Sequence, residues 1–457
     1  MISGREVDGG KAQVARKIGP VTATSIVVAN MIGAGIFTTS GIVAAQVPGA
    51  GWVIACWILG GLIAISGALC YAELATRMPE EGGEYVYLKK LYHPALGFLT
   101  GWTSFLVGFS APIAASALGF AEYIFPGLQG MFPALTSDIA SPAKKACAAT
   151  VILILTAVHY RGIRLGSWVQ NSLTAIKIAI VLGLASLGLL LGQQSASPFS
   201  MESGISPGGF AFGTAMMLVM FAYSGWNASA YIAGELRHPR RTLPVSLLAG
   251  TGIVIVLYFS VNLFVLRSIP YGELKGTIAV VEQASVRAFG PWIGSMLGLL
   301  TGLALLSSLS AFIILGPRVY FAMARDRMFF PIAARVHPRH GVPGISIMLQ
   351  GAVAILMVLL GSFEQLAIYV GFALGVFPWL AIAGIFLARR SGIGDESAAK
   401  VWGYPVVPVF YLMASLVLMV VAFLNRPLES TAALVTIAAG IPCYYLWVKG
   451  VKKAPGD

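Results

Sequence analysis

Three features of this 457-residue chain could do chemistry, and all three sit inside apolar sequence. The stretch Asn30-Met31-Ile32-Gly33-Ala34-Gly35-Ile36-Phe37 puts two glycines one residue apart in a segment long enough to cross a bilayer. Phe221-Ala222-Tyr223-Ser224-Gly225-Trp226 interrupts a later segment in the same way. Lys177 stands about ten positions into a third, 167–192. What such features offer is the binding of ions and dipoles rather than the making of bonds. Unwound backbone exposes N–H and C=O groups that hydrocarbon does not tolerate, so a break survives only where it lines a polar cavity. A pair of interrupted segments in matching positions points to a transporter's substrate site. An ammonium at bilayer depth is a functional group by default. The competing reading is a lysine that snorkels to the interface, but Lys177 is deeper than its stem escapes.

The elements that must position these groups follow from composition. The chain is 57% hydrophobic and 11% charged, with a mean hydropathy of +0.83, whereas a soluble domain is about 25% charged. Apolar runs long enough to span the hydrocarbon core recur at 18–46, 50–77, 94–125, 143–160, 167–192, 209–234, 243–268, 291–325, 344–362, 363–388, 404–424 and 429–450. Nothing is left over for a soluble domain. The expectation is an all-α integral membrane protein of about twelve helices, forming one domain over 1–457. The first run is too long for the core of a signal peptide and has no small-residue cleavage site, so it is kept as a span.

The net charge of +12 does not indicate nucleic acid, because its distribution follows a membrane. With the N-terminus inside, 22 of the 30 Lys and Arg residues fall in cytoplasmic pieces. Six (Lys144, Lys145, Arg267, Lys275, Arg287, Arg426) fall on the other side, and Lys177 and Arg318 lie within spans. This positive-inside bias places both termini in the cytoplasm of a multi-pass protein. Arg318 reads as a helix-end or gate residue, with Glu235 and Glu73 as candidate partners. Cys56, Cys70, Cys147 and Cys443 have no metal-type spacing and read as small packing residues.

Several stretches resemble one family. Gly33-Ala34-Gly35-Ile36-Phe37 resembles the first-helix motif of the amino acid/polyamine/organocation superfamily. Tyr71-Ala72-Glu73-Leu74 with Pro79-Glu80-Glu81-Gly82-Gly83-Glu84-Tyr85 resembles its second helix and following loop. Val169-Gln170-Asn171 with Lys177 is similar to its fifth helix. Phe221-Ala222-Tyr223-Ser224-Gly225-Trp226-Asn227 looks like the sixth-helix motif of L-type amino acid transporters, and residues 235–244 resemble the loop that follows it. The resemblance runs from about residue 15 to 340 and weakens beyond. It implies the leucine-transporter fold, a core of two inverted five-helix repeats (18–192 and 209–388) with discontinuous first and sixth helices. Two peripheral helices (404–450) complete it.

By the same resemblance the substrate is an L-amino acid, with no cofactor and no metal. A zwitterion needs an anion end and a cation end. A new helix N-terminus at the first break offers free N–H groups to a carboxylate, and a half-helix ending at the sixth-span break offers carbonyls to an ammonium. The resemblance assigns the carboxylate to the backbone of Ala34 and Gly35, flanked by Gly33 and Ile36, and the ammonium to carbonyls of Met31, Phe221, Ala222 and Ser224. Phe221 becomes the gate, against the plainer reading of a packing aromatic. Trp226 and Asn227 line or brace the pocket, with a helix–helix hydrogen bond as the other reading of Asn227. Lys177 reaches the first break, where sodium-coupled relatives hold a sodium ion, and serves as a fixed cation or as a proton carrier. The stretch Ile313–Arg318 lacks the Ser and Thr oxygens of sodium-coupled relatives, although Ser307, Ser308 and Ser310 are nearby.

Departures from the family pattern narrow the reading. The loop at 126–142 has no cysteine, so a disulfide-linked heavy chain is not expected. Ser224 stands where large-substrate members often have glycine, while Ala111, Ala114, Ala115 and Ser116 are small, and the balance leans to small or medium neutral amino acids. Cationic amino acids and polyamines are disfavoured, because no carboxylate falls at mid-depth and Glu122 is too near the outer end. An exchanger and a proton symporter both use these residues. A membrane enzyme would need a His, Asp or metal constellation, and His93, His159, His238, His337 and His340 fall in predicted loops or at their edges without ligand spacing. An amino acid sensor, the remaining alternative, often carries long cytoplasmic extensions, and the tails here are short.

Overall fold

A computed structural model of the chain describes residues 18–80, 82–131, 137–191, 208–337, 339–340 and 342–453. Arg5, Lys11, Arg16, Lys17, Glu81 and the centre of the 126–142 loop lie outside the described residues. The helices run in the order α1 (Pro20–Met31), α2 (Ala34–Gln46), α3 (Ala50–Arg77), α4 (Glu84–Leu91), α5 (Pro94–Thr103) and α6 (Ser110–Met131). Then come α7 (Ser137–Tyr160), α8 (Ile163–Leu191), α9 (Gly209–Ala222), α10 (Ala228–Tyr231), α11 (Pro239–Ser268) and α12 (Tyr271–Leu274). The last six are α13 (Val280–Phe289), α14 (Pro291–Arg325), α15 (Gly344–Leu360), α16 (Phe363–Ser391), α17 (Val406–Asn425) and α18 (Pro427–Lys453).

Among the described residues, nine helical segments are long and apolar enough to cross a membrane. Three shorter apolar ones, Trp168–Leu184, Gly209–Ala222 and Gly344–Leu360, bring the set to the twelve expected. α1 and α2 together make the first span and are separated only by Ile32 and Gly33. α9 and α10 belong to the sixth and are separated by the turn 223–227. Two helices that long apolar runs do not reveal are α4 and α13. Both are short and mix polar with apolar residues, so only packing gives them a buried face. The third span changes register through a π turn at Ser104–Gly108, between α5 and α6. Such bulges recur at functional sites, and this one faces the cavity described below.

The broken elements sit at the centre. α1 packs on α11 and α10, α2 on α9, and α14 against α6 and α8. At the end of the bundle carrying Arg77, Arg325, Arg389 and Arg390, the buried carboxylate of Glu73 ties three pieces of chain together. Arg389 grips it through Nε at 2.9 Å and Nη2 at 2.6 Å, Arg77 donates Nε at 3.0 Å, and the Val401 amide donates at 2.9 Å. A two-point guanidinium fork of this kind is among the stronger charged hydrogen bonds. Glu73 is thus not a partner of Arg318, whose guanidinium donates to the Ile314 carbonyl of its own helix at 2.9 Å. On the loop beside it, Asp395 pairs with Arg240. Its carboxyl is held below the usual aspartate range, first by hydrogen bonds from Ser397 and then by Arg240.

Candidate functional site

Lys177 sits at the midpoint of α8, fully buried, so its ammonium does not snorkel. Nζ donates to the Ile32 carbonyl at 2.7 Å, the Ala29 carbonyl at 2.9 Å and Ser308 Oγ at 3.0 Å. Its three protons therefore all have acceptors, and two of those acceptors are carbonyls freed where α1 stops. Ser308 Oγ also donates to the Ile32 carbonyl at 3.1 Å. Its neighbours on α14 are engaged too: Ser307 with Thr174 at 3.2 Å, and Ser310 with the buried His159 at 2.8 Å. His159 stands in the last turn of α7, at a loop edge as expected from the sequence, and is buried there.

The two breaks press against each other. A Cβ built on Gly35 would lie 2.5 Å from the Ala222 Cβ and 3.2 Å from its amide nitrogen, so only glycine permits α2 and α9 to cross this closely. Gly225 has φ +95°, and a Cβ there would lie 3.1 Å from the Asn30 carbonyl carbon and oxygen. Both of the spans thus meet backbone to backbone. The hydroxyl of Tyr258, on α11, bridges them, directed at the Met31 carbonyl and, at 3.0 Å, at the Ala222 carbonyl. Those are two of the carbonyls expected for the substrate ammonium, so an ammonium arriving there meets oxygens already solvated by Tyr258.

Beside the sixth-span break lies a cavity of about 110 Å³. Of the residues singled out in the sequence, it brings together Phe221, Ser224, Trp226 and Asn227. It touches the first span at Asn30, whereas Met31, Gly33, Ala34, Gly35, Ile36 and Ala222 do not line it. Met31, Ala34, Gly35, Ile36 and Ala222 are buried at the crossing itself, where Gly33 caps α2. The free amides of the first turn of α2 have no side-chain cap there. Phe221 sets its ring edge-on to Phe363 at 6.1 Å, and Trp226 packs between Tyr71 at 4.8 Å and Tyr411 at 6.1 Å. Asn227 both lines the cavity and makes a long-range hydrogen bond, donating to Glu84 Oε1 at 2.5 Å. A family model described as amino acid permease matches residues 18–447. The chain belongs to the amino acid permease family.

The permease is similar along its length to several curated transporters. It is 29% identical over 445 residues to the serine/threonine exchanger SteT of Bacillus subtilis, covering 96% of this chain and 97% of that one. It is 30% identical over 442 residues to the human b(0,+)-type amino acid transporter 1, covering 95% and 88%. Against the human large neutral amino acids transporter small subunit 2 the identity is 28% over 451 residues, covering 96% and 82%. The permease is a multi-pass membrane transport protein and not an enzyme.

Two groups in the permease's site escaped sequence reasoning. Tyr258 gave no signal, being one aromatic in an apolar span. Glu84 belongs to the glycine-rich loop motif, yet no carboxylate was expected deep in the bundle. The turn at Gly82 and Gly83 instead directs it inward, to 1% exposure. Removing the Tyr258 hydroxyl tests the bridge. Tyr258→Phe leaves the Ala222 carbonyl without its donor and should lower stability by about 1–3 kcal/mol. Thermal unfolding in detergent reads this, and an unchanged midpoint means the hydroxyl does not hold the breaks together.

Proposed function

We propose that this permease exchanges small to medium neutral L-amino acids across the plasma membrane by alternating access, without sodium. The observation that carries the proposal is the ammonium of Lys177, fixed on the Ala29 and Ile32 carbonyls at the first break. An ammonium held there supplies the charge that a sodium ion would otherwise bring. The Oγ atoms of Ser307, Ser308 and Ser310 are all engaged by protein partners, which leaves less oxygen for a sodium ion, a cation that needs oxygen ligands. The substrate carboxylate is assigned to the amides of Ala34 and Gly35, between Gly33 and Ile36. The ammonium is assigned to carbonyls of Met31, Phe221, Ala222 and Ser224. Phe221 is the gate, and Trp226 and Asn227 form the pocket wall.

In this reading residues 18–192 and 209–388 are the two inverted repeats, residues 404–450 are peripheral, and the basic end faces the cytoplasm with both termini. No disulfide-linked heavy chain takes part. The relatives named as exchangers or amino acid transporters support the transport class. A second reading, proton symport with Lys177 as the carrier, rests on the same burial of Lys177 with no carboxylate among its hydrogen-bond partners.

Purified protein in liposomes decides between them. Radiolabelled alanine, serine and leucine should enter only liposomes preloaded with amino acid, in sodium-free buffer and regardless of a pH gradient. Uptake into empty liposomes driven by an acidic exterior selects the symporter. No uptake of any amino acid removes the transport reading and leaves the sensor.

A further inference from the structure

The segment 326–343, which joins α14 to α15, carries positive charge that nothing in the protein answers. Its only acid, Asp326, is taken by the Tyr85 hydroxyl at 2.6 Å and Lys89 Nζ at 3.4 Å. Arg335 and Arg339 are exposed, and among the described residues no acid pairs with either. Arg161, at the end of α7, is exposed and without an acidic partner in the same way. It is held beside this segment: the ring of its neighbour Tyr160 lies 5.4 Å from His337 and 6.0 Å from His340. A Cβ on Gly162 would stand 3.7 Å from the His340 carbonyl oxygen.

The segment is tied down along its length. The Phe329 carbonyl accepts from Trp447 Nε1 at 3.1 Å, and the Ala333 carbonyl from Ser346 Oγ at 3.1 Å. His337 Nδ1 accepts from the amides of Arg339 at 3.2 Å and His340 at 3.3 Å. A backbone fixed beforehand loses less entropy when its side chains take a ligand. Yet Phe330, Ile332 and Val336 stay exposed on the same segment as the two arginines. The missing partner must therefore offer negative charge to the guanidiniums and apolar surface to these three side chains. Because the segment joins two spans, it lies where the bundle leaves the membrane, against lipid headgroups. Guanidiniums grip phosphate oxygens through paired N–H groups, and basic pockets at such a level hold anionic headgroups. A soluble phosphate compound answers the charge but leaves the apolar side chains in water.

We propose that the α14–α15 connection, together with the end of α7, is a binding site for an anionic phospholipid. Arg161, Arg335 and Arg339 hold its phosphate, and Phe330, Ile332 and Val336 lie among the upper carbons of its chains. The proposal rests on the membrane insertion of the bundle and is independent of which amino acid is carried.

Native mass spectrometry of the purified full chain, titrated with phosphatidylglycerol or with phosphatidylcholine of the same chains, tests it. Each basic side chain near an anionic headgroup is worth about fivefold in affinity, so phosphatidylglycerol should bind at least about tenfold tighter. Replacing Arg161, Arg335 and Arg339 together by Gln should remove at least about tenfold of that preference. Arg335→Gln by itself should remove about fivefold, and it serves if the triple variant is not monodisperse. Arg241→Gln, Arg390→Gln and Lys400→Gln together take the same charge from exposed positions elsewhere at the basic end. They should leave the preference within about twofold, because salt screens charges that are not at the site. Equal affinity for the two lipids overturns the proposal. So does an equal loss in both triple variants, since the attraction would then belong to the basic end as a whole. Glycerophosphate, the headgroup without its chains, displacing the lipid at equal concentration would mark a site for a soluble anion and overturn the lipid.

Discussion

Lys177→Met should lower amino acid exchange at least about a hundredfold while the protein still reaches the membrane. Methionine matches the length of the lysine stem but donates nothing. The Ala29 carbonyl then loses its Lys177 donor and the Ile32 carbonyl one of its two donors, at bilayer depth, where no water replaces them. A hydrogen bond to a charged group contributes roughly 1.5–3 kcal/mol. Two of them are therefore worth about 3–6 kcal/mol, two or more powers of ten in an equilibrium between formed and unformed break. The Ser308 bond to Ile32 survives the substitution and softens the loss. Initial rates of counterflow in liposomes, normalised to monodisperse protein, give the answer. A variant exchanging above a tenth of the normal rate would mean that the ammonium does not hold the first break.

The second large effect separates two glycines that look alike in sequence. Gly35→Ala should cut exchange about tenfold or more and lower thermal stability, because its Cβ would meet the backbone and Cβ of Ala222. Nothing flexible lies there to move aside, and forcing extra volume into a packed site costs about 1–3 kcal/mol. Gly33→Ala should have clearly the smaller effect. Gly33 has φ −113°, an extended conformation open to any residue, and a Cβ would find the Met31 carbonyl at 3.8 Å and Ser308 Oγ at 3.9 Å, ordinary contacts. Exchange rates and unfolding midpoints of the two variants, measured side by side, check the order. The reverse order would show that the amide geometry at Gly33, rather than the crossing at Gly35, limits the site.

This contrast also marks how far the sequence could be read. The glycine pair was legible as a break because helix interruption is a local matter. Its division of labour was not. Gly35 is held to glycine by Ala222, which is 187 positions away in the chain. Lys177 was legible as a buried cation because a charge in an apolar run stands out, but its acceptors come from α1, the break that follows it and α14. Phe221, Ser224, Trp226 and Asn227 were legible as a group because they lie together on one interrupted span. Met31 and Ala222 were read as open carbonyls, and nothing near them in sequence hinted at the Tyr258 hydroxyl from α11.

What the amino-acid sequence determined alone is the class of molecule, the number and extent of its spans and the places where two of them break. These follow from run length, from the need of every backbone group at membrane depth for a partner, and from glycine. What only the tertiary structure decided is which groups answer the breaks. Lys177, Tyr258 and Ser308 reach the freed carbonyls from separate spans, and Glu84 arrives from a connection that composition places at the surface. The length of apolar runs fixes which segments enter the membrane. It does not fix the angstrom-scale approach of one backbone to another, and the chemistry of the site depends on that approach.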